Sequence, residues 1–201
     1  MTDTSQTRLP PGQIVTRKWP VLHYSTVPTV DLALWRFPVR GAVERPFEMD
    51  WEELQSLPRR DTACDIHCVT RWSRYDNVFG GVPVQDLLRR AGVRPEGRFV
   101  LVSAEQEFTT NLPLEDLDRP ENLLALTHDG EPLTPEHGGP VRLLVPHLYF
   151  WKSATWVRGF EVLDEDYPGF WEQNGYHMRG DPWAEERFGR PDPVRMRRGR
   201  R

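Results

Sequence analysis

The hydrophobic pattern predicts a chain with more strand than helix. Apolar and polar positions alternate between residues 31 and 43, with Trp35, Phe37 and Val39 on one face, which is typical of a strand. Short apolar runs bounded by turn-forming residues predict further strands at residues 63–69, 98–103, 108–111, 122–127, 141–145 and 155–163.

Helices are predicted at two places. The run Asp50-Trp51-Glu52-Glu53 resembles a capping box, so a helix should begin there and end before the next proline. Residues 84–91 predict a second helix, which the following glycine ends, and residues 113–117 predict a short helical turn. Because composition does not change along the core and no repeat is present, we expect a single mixed α+β domain, rich in strands.

Proline is the compositional outlier, with 19 residues among 201, and it favours turns and loops over long helices. We expect a flexible lead over residues 1–18, an ordered domain over 19–184 and a basic, disordered tail over 185–201. Residues 187–201 contain seven arginines and one acidic residue. We interpret this tail as a solubilising segment.

Composition also limits the class of protein. Lysine and arginine number 26 against 30 aspartates and glutamates, a balance that gives no reason to expect a nucleic-acid partner. No apolar run approaches the ~20 residues that a membrane span needs. The first residues carry neither a signal-peptide pattern nor a twin arginine, so we expect a cytoplasmic protein without a membrane span. Its two cysteines should be free thiols or ligands.

Cys68 is the main candidate for chemistry. It lies near the end of the strand predicted at residues 63–69 and precedes a polar loop that contains Trp72. A thiolate in this position can act as a nucleophile or as a soft ligand for a transition metal. A buried structural cysteine is an equally good interpretation of this loop taken alone.

A second candidate segment surrounds Gly138 and Gly139. Paired glycines let backbone approach a ligand closely, and His137, Arg142 and Lys152 flank the turn with hydrogen-bond donors. Such donors suit a phosphate or another anion. A plain hairpin loop is the alternative interpretation.

Together, these segments resemble the sulfite oxidase family of molybdopterin enzymes. The resemblance covers about residues 19–183 and is closest to small, single-domain bacterial members related to the catalytic subunit of the periplasmic methionine-sulfoxide reductase. Four motifs stand in the family's order: Leu22-His23-Tyr24, the Cys68 loop followed by Gly80-Gly81-Val82-Pro83, Phe108-Thr109-Thr110-Asn111, and His137-Gly138-Gly139-Pro140-Val141-Arg142 with Lys152-Ser153 after it.

The resemblance implies a sulfite-oxidase-like molybdopterin-binding fold and an oxidoreductase that transfers an oxygen atom to or from a small molecule. It implies a molybdenum–molybdopterin cofactor with a single pterin, Cys68 as the metal ligand, and Tyr176 as an active-site tyrosine. Arg71 is a candidate for favouring the thiolate. The residues implied to bind the cofactor are His23, Tyr24, Cys68, Thr110, Asn111, His137, Arg142, Lys152 and Ser153, with His137, Arg142 and Lys152 around the pterin phosphate.

One departure from the family bears on the substrate. Members that oxidise sulfite have an arginine five residues after the cysteine, where this chain has Ser73. A site with fewer fixed positive charges should bind the sulfite dianion less well, which favours reduction of an S-oxide or N-oxide over sulfite oxidation. The sequence does not identify the electron-transfer partner.

Three alternatives compete with this interpretation. A zinc or thiol site built from Cys64, His67 and Cys68 lacks a fourth ligand and a second paired spacing. A thiol hydrolase using Cys68 with His137 lacks an evident group to orient the histidine. A non-catalytic protein that binds a pterin is the third alternative.

Overall fold

The structure is a computed structural model, and it describes residues 8–189. Eleven strands, four α-helices and three single 3-10 turns make up this part of the chain. The strands are β1 (Ile14–Val15), β2 (Arg36–Gly41), β3 (Phe47–Asp50), β4 (Arg60–His67), β5 (Trp72–Pro83), β6 (Phe99–Ala104), β7 (Thr109–Pro113), β8 (Leu123–His128), β9 (Glu131–Pro132), β10 (Arg142–Leu144) and β11 (Val157–Leu163). The helices are α1 (Trp51–Ser56), α2 (Val84–Ala91), α3 (Leu114–Leu117) and α4 (Phe170–Gln173), and the 3-10 turns are Glu105–Glu107, Pro135–His137 and Phe150–Lys152.

The strands form two mixed sheets. The first has the order β1-β5-β8-β10, with β4 paired to β5 and β9 paired to β8, and the second has the order β3-β2-β11-β6-β7. The pairs β1–β5 and β2–β11 are parallel and the other pairs are antiparallel. This architecture agrees with the predicted strand-rich α+β domain.

One main hydrophobic core joins the two sheets. Phe37 from β2 and Phe160 from β11 meet edge to face with ring centroids 4.9 Å apart, and Leu124 from β8 and Leu143 from β10 belong to the same cluster. A smaller cluster around Phe79 lies under the first sheet. Within residues 8–189 no helix combines the length and apolarity needed to cross a membrane.

Local sequence signals predict several element boundaries correctly. The carboxylate of Asp50 accepts a hydrogen bond from the backbone N–H of Glu53 at 2.9 Å, which confirms the predicted cap of α1. Helix α2 spans residues 84–91 as predicted, and Gly92 follows it in the left-handed conformation. Strand β4 spans residues 60–67, so it begins earlier and ends earlier than the predicted range 63–69, and Cys68 stands at the beginning of the turn that follows it.

The longest strand, β5, has no clear sequence signal and is not among the predicted strands. Its first half is polar and charged, and its second half contains Gly80 and Gly81. The strand forms because β4 and β8 pair with it on both sides. A side chain at position 81 would collide with the carbonyl oxygen of Leu124, so glycine allows β8 to approach closely here.

The ordered structure extends beyond the predicted domain at both boundaries. Residues 14–15, predicted to belong to a flexible lead, pair with β5, because the backbone N–H groups of Ile14 and Thr16 donate to Arg71 and Ser73 at 2.8 Å each. Arg187, predicted to belong to the basic tail, is only 5% exposed. The rest of the tail, residues 190–201, lies outside the described residues.

Candidate functional site

The predicted motifs converge on a cavity of about 310 Å³, at the lower end of the ~300–1,000 Å³ range of ligand pockets. Its walls are largely aromatic. Of the residues predicted to form a site, the cavity is lined by His23, Tyr24, Cys68, His137, Arg142, Ser153 and Tyr176.

Cys68 stands at the beginning of a tight turn between β4 and β5. Its backbone N–H donates to the carbonyl of Trp72 at 2.9 Å, and its carbonyl accepts from the N–H of Arg71 at 3.0 Å. The sulfur lies 3.1 Å from the hydroxyl oxygen of Thr70. Burial raises the pKa of the thiol, while the hydrogen bond from Thr70 and the charge of Arg187 oppose this rise.

Arg71 contributes its backbone to this turn rather than its side chain to the cavity. Its φ of 75° lies in the left-handed region, which is uncommon for residues other than glycine. The side chain is exposed and is not among the cavity residues. Its predicted catalytic role therefore has no support in the geometry, and Arg187 is the arginine whose charge acts on Cys68.

The residue after the turn that faces the cavity is Trp72, not Ser73. Ser73 is fully buried, and its hydroxyl lies 2.8 Å from Nδ1 of His67. Neighbouring residues on a strand point to opposite faces, which places Trp72 in the cavity wall and Ser73 behind it. Ser73, the residue compared with the arginine of sulfite-oxidising members, therefore lies behind the cavity wall, and the neutral side chain of Trp72 faces the cavity.

Arg142 is a buried cation without a carboxylate partner. It is 3% exposed, and its Nη1 and Nη2 donate to the carbonyls of His137 at 2.7 Å and Ser153 at 2.8 Å. Its Nε has no hydrogen-bond partner, and none of the ion pairs among residues 8–189 includes it. Burial lowers the pKa of Arg142 to about 9, so the side chain is still charged at neutral pH. An uncompensated positive charge beside a cavity favours an anionic ligand.

His137 is fixed in the cavity wall by both of its ring nitrogens. Nδ1 lies 3.1 Å from the hydroxyl of Thr134, Nε2 lies 3.2 Å from the carbonyl oxygen of Trp19, and the Trp19 and His137 rings are 4.1 Å apart. The Cys68 sulfur pairs with Thr70 instead of His137. This arrangement does not support the thiol hydrolase alternative.

Gly138 and Gly139 let the chain turn closely behind His137. Gly138 has a φ of 99°, and a side chain at position 139 would collide with the carbonyl oxygen of Leu133. The two glycines therefore bring strand β10, with Arg142 at its first position, against the cavity.

The zinc alternative also finds no support among residues 8–189, where no group of three or more His, Cys, Asp or Glu side chains is arranged to hold a metal ion. Cys64 packs against the smaller hydrophobic cluster, and burial raises its thiol pKa to about 12.

Lys152, Thr110 and Asn111 lie behind the cavity wall and not in it. Lys152 is fully buried, and its Nζ forms a 2.7 Å ion pair with Oε1 of Glu172. The same Nζ donates to the carbonyl and side-chain oxygens of Asn111 at 2.8 and 2.9 Å and to the carbonyl of Met178 at 2.6 Å. The predicted contact of Lys152 with a cofactor phosphate has no support here, because protein groups already occupy its donors.

This buried network holds an aromatic side chain that does line the cavity. Oε1 of Glu172 accepts a hydrogen bond from Nε1 of Trp151 at 2.8 Å and from the hydroxyl of Thr110 at 3.3 Å. Trp151 meets Tyr176 edge to face at 5.0 Å, and Tyr176 stacks on Trp171 at 4.8 Å. Lys152, Thr110 and Asn111 therefore shape the site indirectly.

The cavity tryptophans are absent from the predicted site residues. Five of the eight tryptophans in the chain line the cavity. The high tryptophan content was a signal that could have found them, since tryptophans often line pockets. They are Trp19, Trp72, Trp151, Trp156 and Trp171.

Comparison with known proteins identifies the family of this chain. The sequence model of one family, the oxidoreductase molybdopterin binding domain, matches residues 24–171. The chain belongs to this family. The matched residues include Cys68, Arg142 and most of the cavity wall, so the predicted resemblance to sulfite oxidase enzymes is confirmed.

Several relatives support the same assignment. The chain is 52% identical to the uncharacterized oxidoreductase YuiH of Bacillus subtilis (strain 168) over 90% of its own length and 92% of that protein. It is 27% identical to the protein-methionine-sulfoxide reductase catalytic subunit MsrP of Gluconobacter oxydans over 75% of its own length and 55% of that protein. The sulfane dehydrogenase SoxCD of Paracoccus pantotrophus has a similar structure, with a TM-score of 0.65 and 26% identity over 71% of this chain and 41% of that one.

The chain is thus a molybdopterin oxidoreductase of the sulfite oxidase type, and its residues fit a molybdenum–pterin cofactor. The cavity wall offers a thiol, which suits a soft metal centre, and the buried charge of Arg142, which suits the cofactor phosphate.

Arg142→Met should lower the fraction of protein that retains the cofactor by about 10-fold, since a hydrogen bond to a charged group contributes roughly 1.5–3 kcal/mol. Pterin fluorescence and molybdenum content of the purified variant measure this fraction. Arg98→Gln is the matched control, because Arg98 also donates to a backbone carbonyl, that of Asp164, but does not line the cavity. Full occupancy in a folded Arg142→Met protein would contradict the assignment.

Proposed function

We propose that Cys68 ligates molybdenum held by a single pterin, and that the enzyme removes an oxygen atom from a neutral S-oxide or N-oxide. The observation that carries this proposal is the placement of Cys68 and the uncompensated Arg142 in the walls of one aromatic cavity. The proposal includes a cytoplasmic location and a separate electron donor.

A molybdenum–pterin group supplies two-electron redox chemistry and a centre that accepts or gives an oxygen atom. The protein contributes binding, orientation and electrostatics. Cys68 offers a thiolate, and the hydroxyl of Thr70 can donate a hydrogen bond to the sulfur, which tunes the electron density of the ligand. Arg142, which also lines the cavity, would bind an anionic part of the cofactor.

Tyr176 is the residue best suited to contact a substrate oxygen. It lines the cavity with Cys68, and burial raises the pKa of its hydroxyl, so it keeps its proton at neutral pH. A protonated phenol donates a hydrogen bond to an oxide oxygen. Trp151 and Trp171 contact its ring and restrict its motion.

The charge of the cavity wall supports a neutral substrate. Among the described residues that line it, Arg142 is the sole arginine or lysine, and Trp72 faces the cavity next to the cysteine turn. Arg187 acts on Cys68 from behind the turn and does not line the cavity, so a sulfite dianion would find no arginine or lysine other than Arg142 at the cavity surface. Reduction of an S-oxide consumes two electrons and two protons and yields a thioether and water, with the electrons coming from the separate donor.

Steady-state kinetics on the molybdenum-loaded protein test this proposal. Methionine sulfoxide or trimethylamine N-oxide with a reduced viologen dye should be turned over with a higher kcat/KM than sulfite with ferricyanide. Tyr176→Phe should lower the turnover of the oxide while cofactor content stays at the level of the unaltered protein. Efficient sulfite oxidation with a micromolar KM, in the lower part of the ~1 μM–1 mM range of enzymes, would reverse the assignment of substrate.

A further inference from the structure

Two segments outside the matched residues 24–171 contact the turn that carries Cys68. We propose that Arg187 and Gln13, one from each segment, are positioning residues that set the geometry and the electrostatic surroundings of the Cys68 sulfur. This inference rests on the proposed role of Cys68 as the metal ligand. Neither residue lines the cavity, so both act through the turn.

Arg187 binds the backbone next to Cys68. It is 5% exposed, its Nη1 donates to the carbonyl of Val69 at 2.7 Å, and its Nη2 donates to the carbonyl of Pro11 at 3.1 Å. The guanidinium also lies 4.9 Å from the ring centroid of Tyr149. The planar fork of an arginine can reach two carbonyls at once, which a lysine ammonium on a flexible stem does less well.

Gln13 binds the turn from the other segment. It is 7% exposed, and its Nε2 donates to the carbonyl of Cys68 at 3.0 Å. The N–H of the next residue, Ile14, donates to the carbonyl of Arg71 at 2.8 Å. Three parts of the turn, at residues 68, 69 and 71, are therefore held by groups from outside the matched region.

The backbone around Arg187 also fixes the segment of Tyr176. The N–H of His177 donates to the carbonyl of Arg187 at 3.2 Å, and the N–H of Gly189 donates to the carbonyl of Gly175 at 3.1 Å. The ring of Phe188 meets that of Tyr176 edge to face at 5.4 Å. One short segment thus sets the positions of the cysteine turn and of the tyrosine relative to each other.

The charge of Arg187 is only weakly compensated. Its ion-pair partner, Glu185, lies 3.8 Å away and is half exposed, so water screens this carboxylate more than the buried guanidinium. A cation near a thiolate ligand stabilises the reduced, more negative form of a metal centre, and it therefore raises the reduction potential.

The test compares Arg187→Gln, Arg187→Lys and the control Arg98→Gln in a Cys64→Ser background. In the loaded protein, Arg187→Gln should lower the midpoint potential of molybdenum and alter its Mo(V) EPR signal, and cofactor affinity should fall roughly 10-fold. Arg187→Lys should change the midpoint potential less than it changes the EPR signal. The lysine keeps the positive charge, but it lacks the planar guanidinium that reaches two carbonyls at once. The control should change none of these quantities.

Two further measurements keep the inference testable. Gln13→Leu, which removes one hydrogen bond to the turn, should alter the EPR signal even if Arg187→Gln protein does not fold. In cofactor-free protein, Arg187→Gln or Gln13→Leu should change the alkylation rate of Cys68 by iodoacetamide. Unaltered EPR signal, potential and alkylation rate in the folded variants would overturn the inference. Failure of the proposed function would appear separately, as an EPR signal that is unaffected by Cys68→Ser.

Discussion

Cys68→Ser should abolish turnover and change the molybdenum spectrum while the fold survives. A serine oxygen is harder and less polarisable than a thiolate, so it is a poor substitute at a soft metal centre. Loss of a group that merely supports a metal ligand costs about 10–100-fold in metal affinity or activity, and loss of the ligand itself should cost more. The side chain is half-buried and makes one side-chain hydrogen bond, to Thr70, so stability should change little.

Cys64→Ser is the matched control for this experiment. The two cysteines are four residues apart, but Cys64 packs against the smaller hydrophobic cluster and does not line the cavity. Activity, molybdenum content and the Mo(V) EPR signal should follow position 68 alone. Full activity in Cys68→Ser with loss of activity in Cys64→Ser would show that the wrong cysteine has been assigned.

Lys152→Met should cause a large loss of stability. It leaves the fully buried carboxylate of Glu172 without its cation, and breaking a buried ion pair in this way costs about 3–5 kcal/mol. For a protein of this size, that change corresponds to a fall in melting temperature of roughly 6–20 °C. Thermal and urea denaturation followed by circular dichroism measure the effect.

The double variant Lys152→Met with Glu172→Gln separates the broken ion pair from the other contacts. It removes both charges, so it should be more stable than Lys152→Met alone. The glutamine can still accept the hydrogen bond from Trp151 that helps to form the cavity wall. If Lys152→Met were as stable as the unaltered protein, the ion pair would have no structural role.

Local sequence signals predicted those features that depend on a few neighbouring residues. The cap of α1 at Asp50, the extent of α2 and the turn before Arg142 are examples, because each depends on groups within a few positions. Cys68, which the motif singled out, lies in the cavity wall. Strand β5 was missed because its strand geometry comes from pairing with β4 and β8 on either side.

The errors concern contacts between distant parts of the chain. Lys152 looked like a phosphate ligand because its partner Glu172 lies 20 positions away and no sequence pattern connects them. Arg187 looked like one of many tail arginines, although its hydrogen-bond partner Val69 is 118 positions earlier. The placement of Trp72 in the cavity wall and of Ser73 behind it follows from strand β5, which local signals did not predict.

The hydrogen bond between Arg187 and Val69 has a consequence for biosynthesis. Chains emerge from the ribosome N-terminal part first, and the cysteine turn is synthesised more than a hundred residues before the arginine that holds it. The turn therefore cannot reach its final geometry on a nascent chain that lacks residue 187. Cofactor insertion should accordingly follow the emergence of residue 187 from the ribosome, and a chain shortened before this residue should receive less molybdenum in the cell.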